Sequence, residues 1–285
     1  MIDPTTSADE PVTVVSPSVS AVPAFFDSPH SGSTYPADFN VTFEHQTLRR
    51  AEDAFVDELF SAAPDHGARM IAARFPRAYI DPNRSDLDID PEQIDGWGGP
   101  AEPTEKSAVG KGLIWTRLHG KAPLYENKLT AEQVRARIDT YWRPYHGAVA
   151  QAYDDLHAEF GHVYHVDCHS MRATGNEFDP DGMVERPDFV ISNHDGTSCD
   201  AAFFDLVVNH LRELGYNVAE NDPYKGAELT RRYADALGGR HALQIEINRK
   251  LYMDEAAIER RGDFEDFRAH VSSLVEAVCA FAADR

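Results

Sequence analysis

From residue 22 onward, short apolar runs alternate with longer stretches whose apolar positions recur every three or four residues. The runs "VPAFFD", "HVYHVDCHSM", "PDFVIS", "GYNVAEND" and "HALQIEINRKLYM" have the length and the β-branched and aromatic content of strands. Residues 44–67 carry Leu48, Ala51, Phe55, Leu59 and Phe60 at helical spacing and stop at Gly67, which predicts a helix beside the first strand. Residues 129–161 predict one long helix or two, with Pro144 at a kink or break. Further helices are predicted over 201–215, 228–239 and 263–285. The stretch "ARMIAARFPRAYIDPNR" predicts two short strands around Pro76, and the polar, Gly- and Pro-rich residues 85–112 a long surface loop. Strands alternating with helices imply an α/β fold: a mixed, largely parallel central sheet with helices on both faces. Residues 1–20, rich in Pro, Ser and Thr, predict a flexible lead-in without the marks of a signal peptide. Residues 21–285 predict a single domain.

In such sheets ligands bind beyond the carboxyl ends of the strands. His30 follows the first strand, and His169 ends the strand "HVYHVDCHSM" on the same face as His165 and Asp167. Two imidazoles at neighbouring strand ends suit a divalent metal, which also needs a carboxylate or a third histidine. Asp53 is the preferred acid, with Glu52 adjacent and Asp57 one turn further along the same helix. With 13 histidines in the chain, two at strand ends also arise as ordinary hydrogen-bonded groups. Asp27 and Asp167 are placed to orient ligating imidazoles, His165 to pack beneath them, and Cys168 to face the core. Arg77 and Arg84 flank Asp81 and Asn83, a pattern that grips a carboxylate or forms a solvated turn. Glu246, between Ile245 and Ile247, shares a face with Gln244 and Asn248 that is either open to solvent or turned to the strand-end site, where a half-buried carboxylate would suit a general base.

Charge sharpens this picture. The chain has 27 basic and 48 acidic residues, a net of −21, which argues against nucleic acid or an anionic membrane as partner. An acidic ligand would therefore need a local cluster of cations. Three separated cysteines, Cys168, Cys199 and Cys279, favour a reducing compartment such as the cytoplasm over a disulfide framework.

Six motifs then occur in order: Pro29-His30-Ser31-Gly32, Asp53 with Val56 and Leu59, Asp81-Pro82-Asn83-Arg84, Asp167-Cys168-His169-Ser170, Lys225-Gly226 with Thr230-Arg231-Arg232-Tyr233, and "LQIEINRKLYMDE". Together they resemble the N-formylglutamate amidohydrolase family over nearly the whole chain. The resemblance implies a zinc-carboxypeptidase-like fold shared with aspartoacylase-type deacylases. It implies one Zn²⁺ on His30, Asp53 and His169 with a water, and Glu246 as general base. Asn83, Arg84 and Arg231 would hold substrate carboxylates, and Arg77 or Arg84 would help stabilise the oxyanion. The chain departs from the family at Ala54, where Trp often follows the acidic ligand, and within 85–112. The expected reaction is hydrolysis of a small acidic N-acyl amino acid, N-formyl-L-glutamate to formate and L-glutamate as in histidine degradation, by a cytoplasmic monomer or small homo-oligomer. Three other readings remain open at this point: a deacylase of another acyl amino acid or small peptide, a non-haem iron oxygenase on the same ligands, and a binding protein without turnover.

Overall fold

The computed structural model describes residues 10–118, 122–176 and 181–285. Seven strands, β1 (Val12–Val15), β2 (Ala24–Ser28), β3 (Arg69–Ala73), β4 (Val163–Met171), β5 (Phe189–Ser192), β6 (Val218–Glu220) and β7 (Arg240–Asn248), form one sheet in the order β1-β3-β2-β4-β7-β5-β6. β1 runs antiparallel to β3, and β5 antiparallel to β7; the other neighbours are parallel. The mixed α/β sheet expected from the alternation is therefore present.

Side-chain alternation sends the central strands to two cores. Phe26, Tyr164, Val166, Cys168 and Ile245 pack with α4 (Ala201–Glu213), α6 (Phe264–Ala283) and the short α1 (Val56–Leu59). Phe25, Ile71 and Val163 pack on the opposite side with α2 (Ala131–Arg137) and α3 (Arg143–Phe160). Because both faces are covered, β2 and β4 are buried at every position, including their polar ones. Asp27, buried beneath α3, does not reach a ligating imidazole as expected. It bonds His165 at 2.7 Å and accepts from the Tyr145 hydroxyl at 2.6 Å.

Four expectations are corrected. Residues 12–15 are not a flexible lead-in: their β-branched side chains suit the open edge of β3, and Ser18 N–H donates to the Pro64 carbonyl at 2.9 Å. Residues 1–9 of that lead-in lie outside the described residues. The helix expected over 44–67 is split into His45–Arg49 and α1. Phe55, at φ 68°, turns the chain between them. Here the β2–α1 connection captures donors that a helix would use internally, with Asp53 N–H on the His30 carbonyl at 3.0 Å and Asp57 N–H on Ser31 Oγ at 3.1 Å. Asp53 thus stands in a turn and not on a helix face.

The second strand expected near Ile80 is a turn, because Arg137 takes the Tyr79 carbonyl at 2.9 Å. Residues 85–112 are not a surface loop throughout. Ile89 and Ile94 are buried, and the Asp88 carboxylate accepts from Thr104 N–H at 2.9 Å and Thr104 Oγ1 at 3.1 Å. Of the readings open at Pro144, one long helix holds: a π-helical turn, Ile138–Trp142, joins α2 to α3 without a break just where proline removes a backbone donor. From this region Trp142 Nε1 donates to the Arg84 carbonyl at 2.9 Å, and His146 Nε2 bonds the Pro82 carbonyl at 2.8 Å. Burial pushes the His146 pKa down to about 3, so the ring is neutral near pH 7, with one nitrogen to donate and one to accept. The helix therefore clamps the Pro82-Asn83-Arg84 segment from behind.

Phe26 is fully buried and its ring lies 5.8 Å from that of Phe60. Phe26→Ala is expected to lower the unfolding free energy by about 3–5 kcal/mol, read from urea denaturation. A loss under about 1 kcal/mol would mean that this core is not close-packed.

Candidate active site

The loop after β2 aims His30. Its Gly32 crosses the backbone that leaves β3 so closely that a Cβ would lie 2.4 Å from the Arg74 carbonyl carbon, which excludes any larger residue without displacement. Ser31 Oγ donates to the Asp53 carbonyl at 3.2 Å while the His30 carbonyl accepts from Asp53 N–H, a two-way latch that sets Asp53 opposite His30. β4 pairs with β2 at Asp27–Asp167 and with β7 at His169–Glu246, which carries His169 and Glu246 to the same end of the sheet.

Three ligand atoms converge there. His30 Nδ1 lies 3.1 Å from His169 Nδ1, and Asp53 Oδ2 lies 3.4 Å from the first and 3.1 Å from the second. All three residues are buried, and they form a metal-compatible group of His, Cys, Asp or Glu among the described residues. Donors about 2.0–2.2 Å from an ion and spread tetrahedrally stand roughly 3.3 Å apart. The triangle has that size, so the residues fit a divalent ion. Glu52 and Asp57, the competing acids, have other roles. Glu52 accepts from Tyr35 Oη at 2.5 Å and pairs with Arg49 at 3.2 Å. Asp57 meets Ser31 only through its backbone N–H, and its carboxyl pKa is raised to about 6 by burial and the neighbouring Glu58.

Each ligand is held from behind. His30 Nε2 bonds Asp81 Oδ1 at 2.7 Å, and His169 Nε2 forms an ion pair with Asp167 Oδ1 at 2.7 Å. Such carboxylate–imidazole pairs fix the ring and raise the basicity of its outward nitrogen. Arg249 donates to Asp53 Oδ1 at 2.9 Å and to Ser170 Oγ at 3.1 Å, and Arg77 donates to Asp81 Oδ2 at 2.9 Å. Burial disfavours the Asp53 charge, but hydrogen bonds from His169 and His30, with the Arg77 charge, hold its carboxyl well below the usual range. Asp81 is also held low: Arg77 and His30 outweigh its burial. His169 shows the complementary effect, raised well above an ordinary imidazole by Asp167 and Asp53 against its burial.

Glu246 sits beside this group. Burial, the largest influence, pushes its pKa up to about 7, with the Asp53 charge adding to the rise and His169 and Arg77 opposing it. Its Oε1 accepts from Gln244 Nε2 at 3.0 Å. Over these residues opens a cavity of about 400 Å³. Nine of its lining side chains are Arg or Lys, against two acids, Asp53 and Glu246. This is the local reversal of charge that an acidic ligand requires in a −21 chain.

The structure brings most of the expected residues together. Arg77 lies 5.5 Å from the Trp115 ring, and Arg84 lines the cavity with its buried Nε unpartnered among the described residues. Asn83 lines the wall, but its amide braces the site: Nδ2 donates to Asp167 Oδ2 and Oδ1 accepts from Leu229 N–H, both at 2.9 Å. Arg231 is a correction. It is not among the lining residues, its side chain is 63% exposed, and Glu228, three residues earlier on α5 (Glu228–Tyr233), captures it on the outer face. Asp81, Arg249, Trp115 and Gln244 have no role that the sequence alone foretells. Only Asp81 has a visible local signal, an Asp-Pro-Asn turn closed by Asn83 N–H on Asp81 Oδ1 at 2.9 Å.

The sequence model for the family described as N-formylglutamate amidohydrolase matches residues 22–253. An N-formylglutamate deformylase of Pseudomonas putida is 30% identical over 239 residues, covering 82% of this chain and 83% of its own. A second one, from Pseudomonas aeruginosa, is 30% identical over 272 residues, covering 93% and 95%. The crystal structure of N-formylglutamate amidohydrolase from Ralstonia eutropha JMP134 superposes with a TM-score of 0.92 at 41% identity, covering 95% of this chain and 98% of that one.

Asp81→Asn is expected to weaken divalent-metal binding about 10–100-fold, since the His30 ring loses the anionic partner that raises the basicity of Nδ1. Titration with a competing chelator checks this, and unchanged affinity would show that His30 does not ligate through Nδ1.

Proposed function

Because this chain belongs to the N-formylglutamate amidohydrolase family, hydrolases acting on an amide bond, we propose that its substrate is N-formyl-L-glutamate and its products formate and L-glutamate. The observation that carries this reading is a buried carboxylate, Glu246, beside a His–Asp–His group in a cation-lined cavity. The deformylase relatives support the substrate, and the cations match a dianion.

His30, Asp53 and His169 would hold the ion. We take it as Zn²⁺, for which two imidazoles and one carboxylate are a fitting set with room for a fourth ligand. When bound, the ion supplies Lewis-acid polarisation of a carbonyl and acidifies water. The chain's own residues do the rest. Glu246 accepts a proton from the attacking water and delivers it to the departing nitrogen. Arg77 faces the oxygen that becomes negative when the carbonyl is attacked, and its pairs with Asp81 and Asp53 hold it in place beforehand. Arg84, with its unpartnered Nε, takes a substrate carboxylate. Asn83 keeps Asp167 and His169 in register behind them.

Glu246 also separates this reading from an oxygenase on the same ligands, which has no need of a base at that position. The surroundings agree with a cytoplasmic, reducing setting, since Cys168, Cys199 and Cys279 are free and buried. No helix among the described residues is long and apolar enough to cross a membrane.

Glu246→Gln is expected to lower kcat by about 10²–10⁴-fold while metal content stays unchanged. In the unaltered protein the rate falls as pH drops through the Glu246 pKa, because only the ionised carboxylate accepts the proton. The acid limb lies at or below about 7, since a cation beside the carboxyl favours its charged form. Formate release measured across pH tests both points; full activity in the Gln variant would sink the mechanism.

A further inference from the structure

We propose that Gln244 recognises the scissile amide itself: its side-chain carbonyl oxygen accepts the amide N–H while its amide nitrogen holds Glu246. The inference rests on the amide-hydrolase reading above. Gln244 and Glu246 are two residues apart on β7, so they share a face, and both line the cavity. Gln244 Nε2 donates to Glu246 Oε1 at 3.0 Å. An ionised carboxylate only accepts, so this contact dictates which end of the amide faces Glu246 and turns Oε1 away from it.

That oxygen is buried and has no hydrogen-bond partner among the described residues. The residues paired with Gln244 across the sheet do not satisfy it. Asp167 is itself an acceptor, and the Ser192 hydroxyl donates to the Tyr224 carbonyl at 2.7 Å. A buried acceptor left without a donor is costly, which marks it as a place for a ligand N–H. The substrate brings one to this spot. Glu246 has to reach the departing nitrogen to protonate it, so that nitrogen lies within hydrogen-bond range of Glu246 and beside Gln244.

The test compares N-formyl-L-glutamate with its ester isostere 2-formyloxyglutarate, in which oxygen replaces N–H, on the metal-loaded protein and on Gln244→Met. Losing the contact with Glu246 slows both substrates, the amide more because its nitrogen needs the proton, a difference that Glu246→Asp measured on the same pair subtracts; only the amide also loses its acceptor. The expected result is that kcat/KM falls about tenfold or more further for the amide than for the ester. Equal losses on the two substrates would overturn the proposal and leave Gln244 as a support for Glu246 alone. If Gln244→Met does not fold, Gln244→Asn, one methylene shorter and still polar, reads the same ratio. Should the protein spare N-formylglutamate yet cleave another N-acyl amino acid, the substrate reading fails. The amide and ester pair built on that acyl amino acid then decides the role of Gln244. Hydrolysis of no amide at all would overturn both.

Discussion

Everything in the site depends on one crowded contact: two imidazole nitrogens and a carboxylate oxygen held 3.1–3.4 Å from one another inside the protein. Hydrogen bonds from the two imidazoles to the Asp53 carboxylate join them, but side chains without a frame would drift apart. The fold prevents that separation from three directions. The central strands fix His169, the Gly32 loop fixes His30, and the Ser31–Asp53 latch fixes Asp53. Behind them Asp81, Asp167 and Arg249 hold the outer side of each ligand. The long helix with its π-helical turn then secures the segment that carries Asn83 and Arg84. Positions distant in sequence serve one small volume.

The legible parts of this design are those written as local pattern. His30, His169 and Glu246 end or interrupt apolar strands, so a polar group there stands out against its neighbours along the chain. Asp53 is different. Glu52, Asp53 and Asp57 are chemically equivalent candidates in one stretch, and helical periodicity even misplaces them on a continuous helix. What distinguishes Asp53 is a hydrogen bond to the backbone of residue 30, which no local pattern carries. Arg231 and Arg249 make the same point in opposite senses. Arg231 belongs to a recognisable motif, yet Glu228 holds it at the surface. Arg249 lies in the sixth motif without any role assigned to it, yet it is buried against Asp53. The strand at 12–15 is hidden by a Pro- and Ser-rich context, although its own residues favour the extended state.

Charge is distributed on two scales. The chain as a whole is strongly acidic, while the cavity inverts that sign over a few ångströms. The exposed charges are screened beyond roughly 8 Å at physiological ionic strength, whereas the cavity cations act at contact distance. Overall repulsion and local capture of an anion are therefore compatible. Segment 85–112 contributes directly to the inversion, since Lys106 and Lys111 come from it and Lys111 lies 5.7 Å from the Trp115 ring.

The same lining bears on what happens after the bond is cut. Cleaving an acylated amine converts a neutral nitrogen into one that takes up a proton and becomes an ammonium. A chamber walled by guanidinium and ammonium groups attracts the carboxylates before and after cleavage but disfavours that new ammonium. The chemical step thus adds one group that the walls oppose to a ligand whose carboxylates they still hold.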